Sequence, residues 1–198
     1  HFAGTATAYI SGPGNFTQAT FEPASTFTNR AFISGVEITR PDPRTIVAFG
    51  DSITDGTAST VNTNRRWPDV LAERFAAAGN PRPISNQAIA GNRILSWQSP
   101  IFGEAALARF DRDVLSVPNA GWLVILEGVN DIGMGAPNPP SAAQLISGYR
   151  QMIERADTAR GNHRHGHRIR NRPRQLQVES SLGAVAVHRG QQDLAGAE

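Results

Sequence analysis

Ser52 closes the tripeptide Gly50-Asp51-Ser52, which follows a short apolar run, Thr45-Ile46-Val47-Ala48-Phe49. A serine placed where a parallel strand ends presents its hydroxyl to the crevice in which open α/β sheets bind ligands, and the glycine before it permits a tight exit. The chemistry open to such a residue is nucleophilic attack on a carbonyl carbon. Gly, Asp and Ser are also turn formers, so the tripeptide by itself reads first as a turn. Asp51 and Asp55 flank that turn and read as acceptors for its backbone N–H groups rather than as catalytic acids. Other chemistries have thinner support. The chain has no Cys, which excludes disulfides, a thiolate nucleophile and thiolate metal sites. His163, His165 and His167 could hold a metal, and the six Arg within 160–174 could contact phosphates. Neither a second ligand set nor interleaved aromatics accompany them, so neither a metal nor a nucleic-acid partner is expected.

The elements that must position Ser52 alternate between strand and helix. Residues 45–49 form a β run that ends at Gly50. Trp67, Val70, Leu71, Arg74, Phe75 and Ala78 share a helical face, with Pro68 in the first turn and Gly79 as a stop. Residues 83–89 form a second β run, closed by Gly91, and Ala105 to Leu115 reads as a helix. Gly121-Trp122-Leu123-Val124-Ile125-Leu126 has the pattern of a buried strand. Ser141-Ala142-Ala143-Gln144 is a capping box that opens a helix with Leu145, Tyr149, Met152 and Ile153 inward. This order predicts a mostly parallel sheet with helices on both faces.

The flanks differ in texture. Residues 1–44 are rich in Gly, Ser and Thr with short β-prone stretches, and read as the end of a β region plus a linker at Pro41-Asp42-Pro43. Phe32, Ile33, Val36 and Ile38 look like its last strand. Residues 161–198 have neither helical nor strand regularity at their start. All 19 basic residues are Arg. Residues 1–159 carry 12 Arg against 14 acids, and residues 160–198 carry 7 Arg against 3, so the basicity belongs to the tail. No apolar run approaches the roughly 18–20 residues that cross a bilayer. The chain opens at His1 without Met, which reads as a processed or fragmentary product.

Three ordered blocks then draw the reading together. Ile46-Val47-Ala48-Phe49-Gly50-Asp51-Ser52-Ile53-Thr54-Asp55-Gly56 resembles the first sequence block of the SGNH (GDSL) hydrolases, a family of serine esterases and lipases. Asn86-Gln87-Ala88-Ile89-Ala90-Gly91-Asn92-Arg93 resembles the second, and Gly128-Val129-Asn130-Asp131 the third. Arg65-Arg66-Trp67-Pro68-Asp69 and Arg109-Phe110-Asp111-Arg112-Asp113-Val114 read as charged helix faces, and also resemble stretches of a branch with an N-terminal β region. The resemblance implies a three-layer α/β/α, flavodoxin-like hydrolase core over residues 45–160. It also implies ester hydrolysis through an acyl-Ser52 intermediate and an oxyanion hole made by the Ser52 N–H, the Gly91 N–H and the Asn130 amide. No metal or organic cofactor is implied. The expected partner is a small ester, an acyl lipid or an acylated sugar.

The family's last block, Asp-x-x-His, is missing, so the catalytic His and Asp stay unassigned and the sheet is expected to be incomplete at its C-terminus. An inactive ester- or carbohydrate-binding module on the same fold is the alternative expectation. Reading the codons for residues 161–167 one base later permits a strand-like run, so a frameshift near residue 161 is the expected origin of the tail.

Overall fold

A computed structural model describes residues 5–16, 20, 22–28, 35–39, 44–162, 178–181 and 184–187. Strands β1 (Ala8–Ile10) and β2 (Ser25–Phe27) pair antiparallel as a small separate sheet. It leans on the loop after Gly56: the Thr7 N–H donates to Asn62 Oδ1 at 2.7 Å, and the Asn62 N–H donates to the Thr5 carbonyl at 2.8 Å. The expected strand through Val36 and Ile38 is not formed. Both side chains are exposed and residues 35–39 pair with no other described residue, because β-prone side chains make no strand without a neighbouring edge and a surface to cover. Phe32 and Ile33 lie outside the described residues.

The main sheet contains β3 (Thr45–Gly50), β4 (Ile84–Asn86), β5 (Ala120–Leu126), β6 (Val178–Ser181) and β7 (Ala184–Val187), in the order β4-β3-β5-β7-β6. The three predicted strands are parallel neighbours, with Val47 opposite both Ser85 and Leu123. β4 is shorter than the β run 83–89 because the Asn86 side chain turns the chain: its Oδ1 accepts from the Ala88 N–H. Hydrogen bonds from Gln87 N to Ala48 O and from Ile89 N to Gly50 O still hold this departing segment on β3. Beyond β5 the parallel pattern stops, and β7 and β6 continue the sheet antiparallel. Of the tail 161–198 expected to follow a frameshift near residue 161, residues 178–181 and 184–187 form β6 and β7, and residues 163–177, 182–183 and 188–198 lie outside the described residues.

The helices are α1 (Ser52–Asp55), α2 (Trp67–Ala77), α3 (Ala106–Phe110), α4 (Val129–Gly133) and α5 (Ala142–Asn162), and α3 runs on into a π turn over Asp111–Leu115. α5 opens with the reciprocal cap predicted for it. The Ser141 N–H donates to Gln144 Oε1 at 2.8 Å, and the Gln144 N–H returns to Ser141 Oγ at 3.3 Å. Val47, Phe49, Leu123 and Ile125 form a core with Ile94, Ala106, Phe110, Val114 and Met152, which places α3 and α5 on that face. Ile46 and Ala48, the alternate residues of β3, are buried on the other face, and α2 packs against β4. The architecture is three-layer α/β/α of flavodoxin-like type.

Candidate active site at the strand ends

Ser52 stands one residue beyond Asp51 where the central strand gives way to α1. Asp51 caps that turn, its Oδ1 accepting from the Ile53 N–H at 2.9 Å, as a turn carboxylate should. A side chain at Gly50 would overlap the Leu126 carbonyl and the Thr54 hydroxyl, so glycine is required by close approach rather than by backbone angle. Thr54 is fully buried and accepts from Trp67 Nε1 at 3.2 Å, which ties α1 to the start of α2. Asp55 is buried as well.

Gly91 lies in the loop after β4 with φ +78, a left-handed conformation that favours glycine, and a Cβ there would collide with the Phe102 ring. The next residue, Asn92, is buried and donates through Nδ2 to the carbonyls of Phe102 and Glu104 at 2.8 and 2.7 Å. Asn130 lies in α4, just beyond β5, and its Nδ2 donates to the Asn92 carbonyl at 2.9 Å. Arg93 Nη2 donates to the Met134 carbonyl just after α4. The second and third blocks are therefore stitched together, while Ile89 and Gly50 join the second to the first.

Among the described residues, the Ser52 N–H and the Gly91 N–H donate to nothing, the Ser52 hydroxyl has no partner, and one hydrogen of Asn130 Nδ2 is unused. Backbone N–H groups are rarely left unmatched where water is partly excluded. Both Ser52 and Gly91 are half-buried. All five histidines lie outside the described residues, so the described residues offer no imidazole to Ser52.

Behind the donors sits a buried charged cluster that sequence reasoning missed. Asp131 accepts from the Ile94 N–H at 2.8 Å and the Leu95 N–H at 3.1 Å, which clamps the chain leaving the Gly91 loop. Arg109, read from sequence as part of a charged helix face, is instead wholly buried, and Glu127 lies close to it. A signal was present: Arg109 falls at helical spacing with Ala106 and Asp113, on the face that Phe110 also helps to bury.

Burial pushes the Glu127 carboxyl well above its ordinary value of 4.5; Arg109 opposes the rise, and Asp51 and Asp131 add to it. Arg109 Nη2 is 3.8 Å from Glu127 Oε2, too far to donate a hydrogen bond, and neither Glu127 oxygen has a hydrogen-bond partner among the described residues. Desolvation therefore prevails over the ion pair. Burial also raises Asp51, with the Ile53 N–H pulling it back and Asp131 adding to the rise. Tyr149, whose hydroxyl donates to the Glu127 carbonyl, is pushed up to about 12 by burial.

A carboxyl raised on folding holds its proton more tightly in the native state than in the unfolded one. Its contribution to stability is complete below 4.5 and is lost as pH rises through the folded value. Glu127→Gln removes that titration. Its melting midpoint should stay near that of the parent at pH 4.5 and exceed it increasingly toward pH 9, as followed by circular dichroism. Parallel pH curves would show that Glu127 ionises freely.

Solved structures similar to this chain include AlinE4, described as an SGNH-hydrolase family esterase, and TesA. AlinE4 is 21% identical over 61% of this chain and 56% of its own, with a TM-score of 0.49. TesA is 24% identical over 59% of this chain and 56% of its own, with a TM-score of 0.47. The chain thus spans little more than half the length of these structures. No curated protein matches it. A model of the GDSL-like lipase/acylhydrolase family matches residues 48–183. That span covers more than half of the chain and takes in Ser52, Gly91, Arg109, Asn130 and Asp131, and the chain belongs to that family.

Proposed function

We propose that the chain hydrolyses carboxylic esters through an acyl intermediate on Ser52, with the Ser52 N–H, the Gly91 N–H and the Asn130 amide as oxyanion donors. The observation that supports this reading is the set of donors at the ends of adjacent parallel strands that, like the Ser52 hydroxyl, have no partner among the described residues. Attack by Ser52 Oγ on the ester carbonyl forms the new C–O bond and moves the carbonyl π electrons onto oxygen. Fixed donors stabilise that charge, and one such donor is typically worth about 2.7–4 kcal/mol. Asn130 provides its hydrogen without adding a charge that burial would penalise. The tetrahedral intermediate then expels the alcohol, and water releases the acid from the acyl-serine. The proton that Ser52 Oγ gives up on attack ends on the oxygen of the departing alcohol.

An organophosphonate tests the assignment, because its phosphoryl oxygen needs the same donors and its phosphorus stays on the nucleophile. Treating the full chain with a p-nitrophenyl phosphonate should release one equivalent of p-nitrophenol and leave the adduct on Ser52, as read by peptide mass spectrometry. Labelling of another residue would overturn the site. Saturable ester binding with neither turnover nor adduct would identify a binding module instead.

A further inference from the structure

Arg109 is the largest fully buried side chain among the described residues, and most of its donors go to groups on other segments. Nη2 donates to the Gly50 carbonyl at 3.2 Å and Nη1 to the Gln87 carbonyl at 2.6 Å. Nε donates to Asn92 Oδ1 at 2.9 Å, and Nη1 also meets Asp113 Oδ2 at 3.1 Å. The guanidinium lies over the Phe49 ring, 4.0 Å from its centroid.

These partners have a pattern. Gly50 ends β3 two residues before Ser52, Gln87 follows β4, and Asn92 follows Gly91. Asn92 in turn presents the carbonyl that accepts from Asn130 Nδ2. Glu127, 3.8 Å from Nη2, follows β5. One planar fork therefore donates to the two segments that carry Ser52 and Gly91, and is linked to the Asn130 segment through Asn92, whose carbonyl accepts from Asn130 Nδ2. A buried guanidinium needs acceptors for stability, but stability alone does not require them to come from the segments that carry Ser52 and Gly91.

We propose that Arg109 is a positioning residue for ester hydrolysis, setting the relative placement of the Ser52, Gly91 and Asn130 donors without touching the substrate. This inference rests on the reading of Ser52 as nucleophile. Lysine cannot substitute, because a single ammonium has no planar fork to meet the Gly50, Gln87 and Asn92 oxygens at their separate positions.

The full chain is tested as Arg109→Lys and Arg109→Ala, with p-nitrophenyl acetate kinetics and the rate of Ser52 phosphonylation as readouts. Displacing reacting groups by about 1 Å can cost on the order of 10²-fold. The expected result is a fall of that size in kcat and in labelling rate, with KM changed far less. Low-millimolar guanidinium should restore Arg109→Ala by filling the vacated cavity, and should do nothing for the parent. In a double-mutant cycle, Asn130→Ala should cost less in the Arg109→Lys background than alone, since the Asn130 donor is already misplaced there.

Additive effects, or a folded Arg109→Lys with unchanged kcat, would overturn the proposal. Failure of both variants to fold would assign Arg109 to the core alone and would also overturn it. The two readings fail separately: full activity in Ser52→Ala removes the nucleophile assignment, whereas loss of activity there with an unaffected Arg109→Lys removes only the role of Arg109.

Discussion

Ser52→Ala will eliminate the covalent intermediate and reduce p-nitrophenyl acetate turnover by at least about a hundredfold, because an oriented hydroxyl acts at an effective concentration that can reach about 10⁵–10⁸ M. With the hydroxyl gone, water must attack in its place without that orientation. The donors at Ser52 N, Gly91 and Asn130 survive the substitution. In serine hydrolases stripped of triad members, binding and the oxyanion hole alone leave about 10³–10⁴-fold over water. The variant should therefore retain a small rate above background, and quenched intact-mass spectra should show no acetyl adduct. Turnover within a few-fold of the parent would place the nucleophile elsewhere.

Asp131→Ala should give the largest loss of stability. The Asp131 carboxylate is buried and satisfies two backbone N–H groups, those of Ile94 and Leu95, and Ile94 belongs to the core. Its removal leaves both donors unmatched, at about 1–3 kcal/mol each, against a total of about 5–15 kcal/mol for a typical domain. A melting midpoint lower by roughly 10 °C follows for a chain of this size. Asp131→Asn should lose less. It keeps one acceptor oxygen and removes a negative charge that faces Asp51 and Glu127. Thermal unfolding of the three proteins, side by side, checks the order; coincident midpoints for Asp131→Ala and the parent would show that the loop needs no anchor.

The strands of the core were legible because their signal is local. Ile46 to Phe49, ended by Gly50, and Trp122 to Leu126, with Gly128 two residues on, are apolar runs of strand length, and Ser141 with Gln144 forms a cap within four residues. The three blocks were legible because the first spans β3 and its exit, the second begins on the last residue of β4, and the third follows β5. Arg109 was not, and the reason is physical. Its neighbours Asp111, Arg112 and Asp113 make the segment look like a solvated face, while the acceptors that allow its burial arrive from Gly50, Gln87 and Asn92, far away in sequence. Val36 and Ile38 failed in the opposite sense. Their β-branched side chains suit a strand, but pairing is a property of two segments, and no described segment offers them an edge.

The pairing of β3 with two partners at different removes also bears on how the molecule is assembled. Val47 meets Ser85 on one side and Leu123, twice as far along the chain, on the other. Doubling a loop adds only about 0.6 kcal/mol to its closure entropy, so equilibrium barely separates the two pairings. Vectorial synthesis does separate them. A nascent chain emerging from the ribosome exposes β4 well before β5, and the Ser52 and Gly91 loops can meet while the segment bearing Asn130 is still in the exit tunnel. Until β5 docks, that side of β3 is an unpaired, apolar parallel edge of the kind that recruits foreign strands. Between the emergence of residues 86 and 126, then, β3 has one neighbour and its second edge stands open.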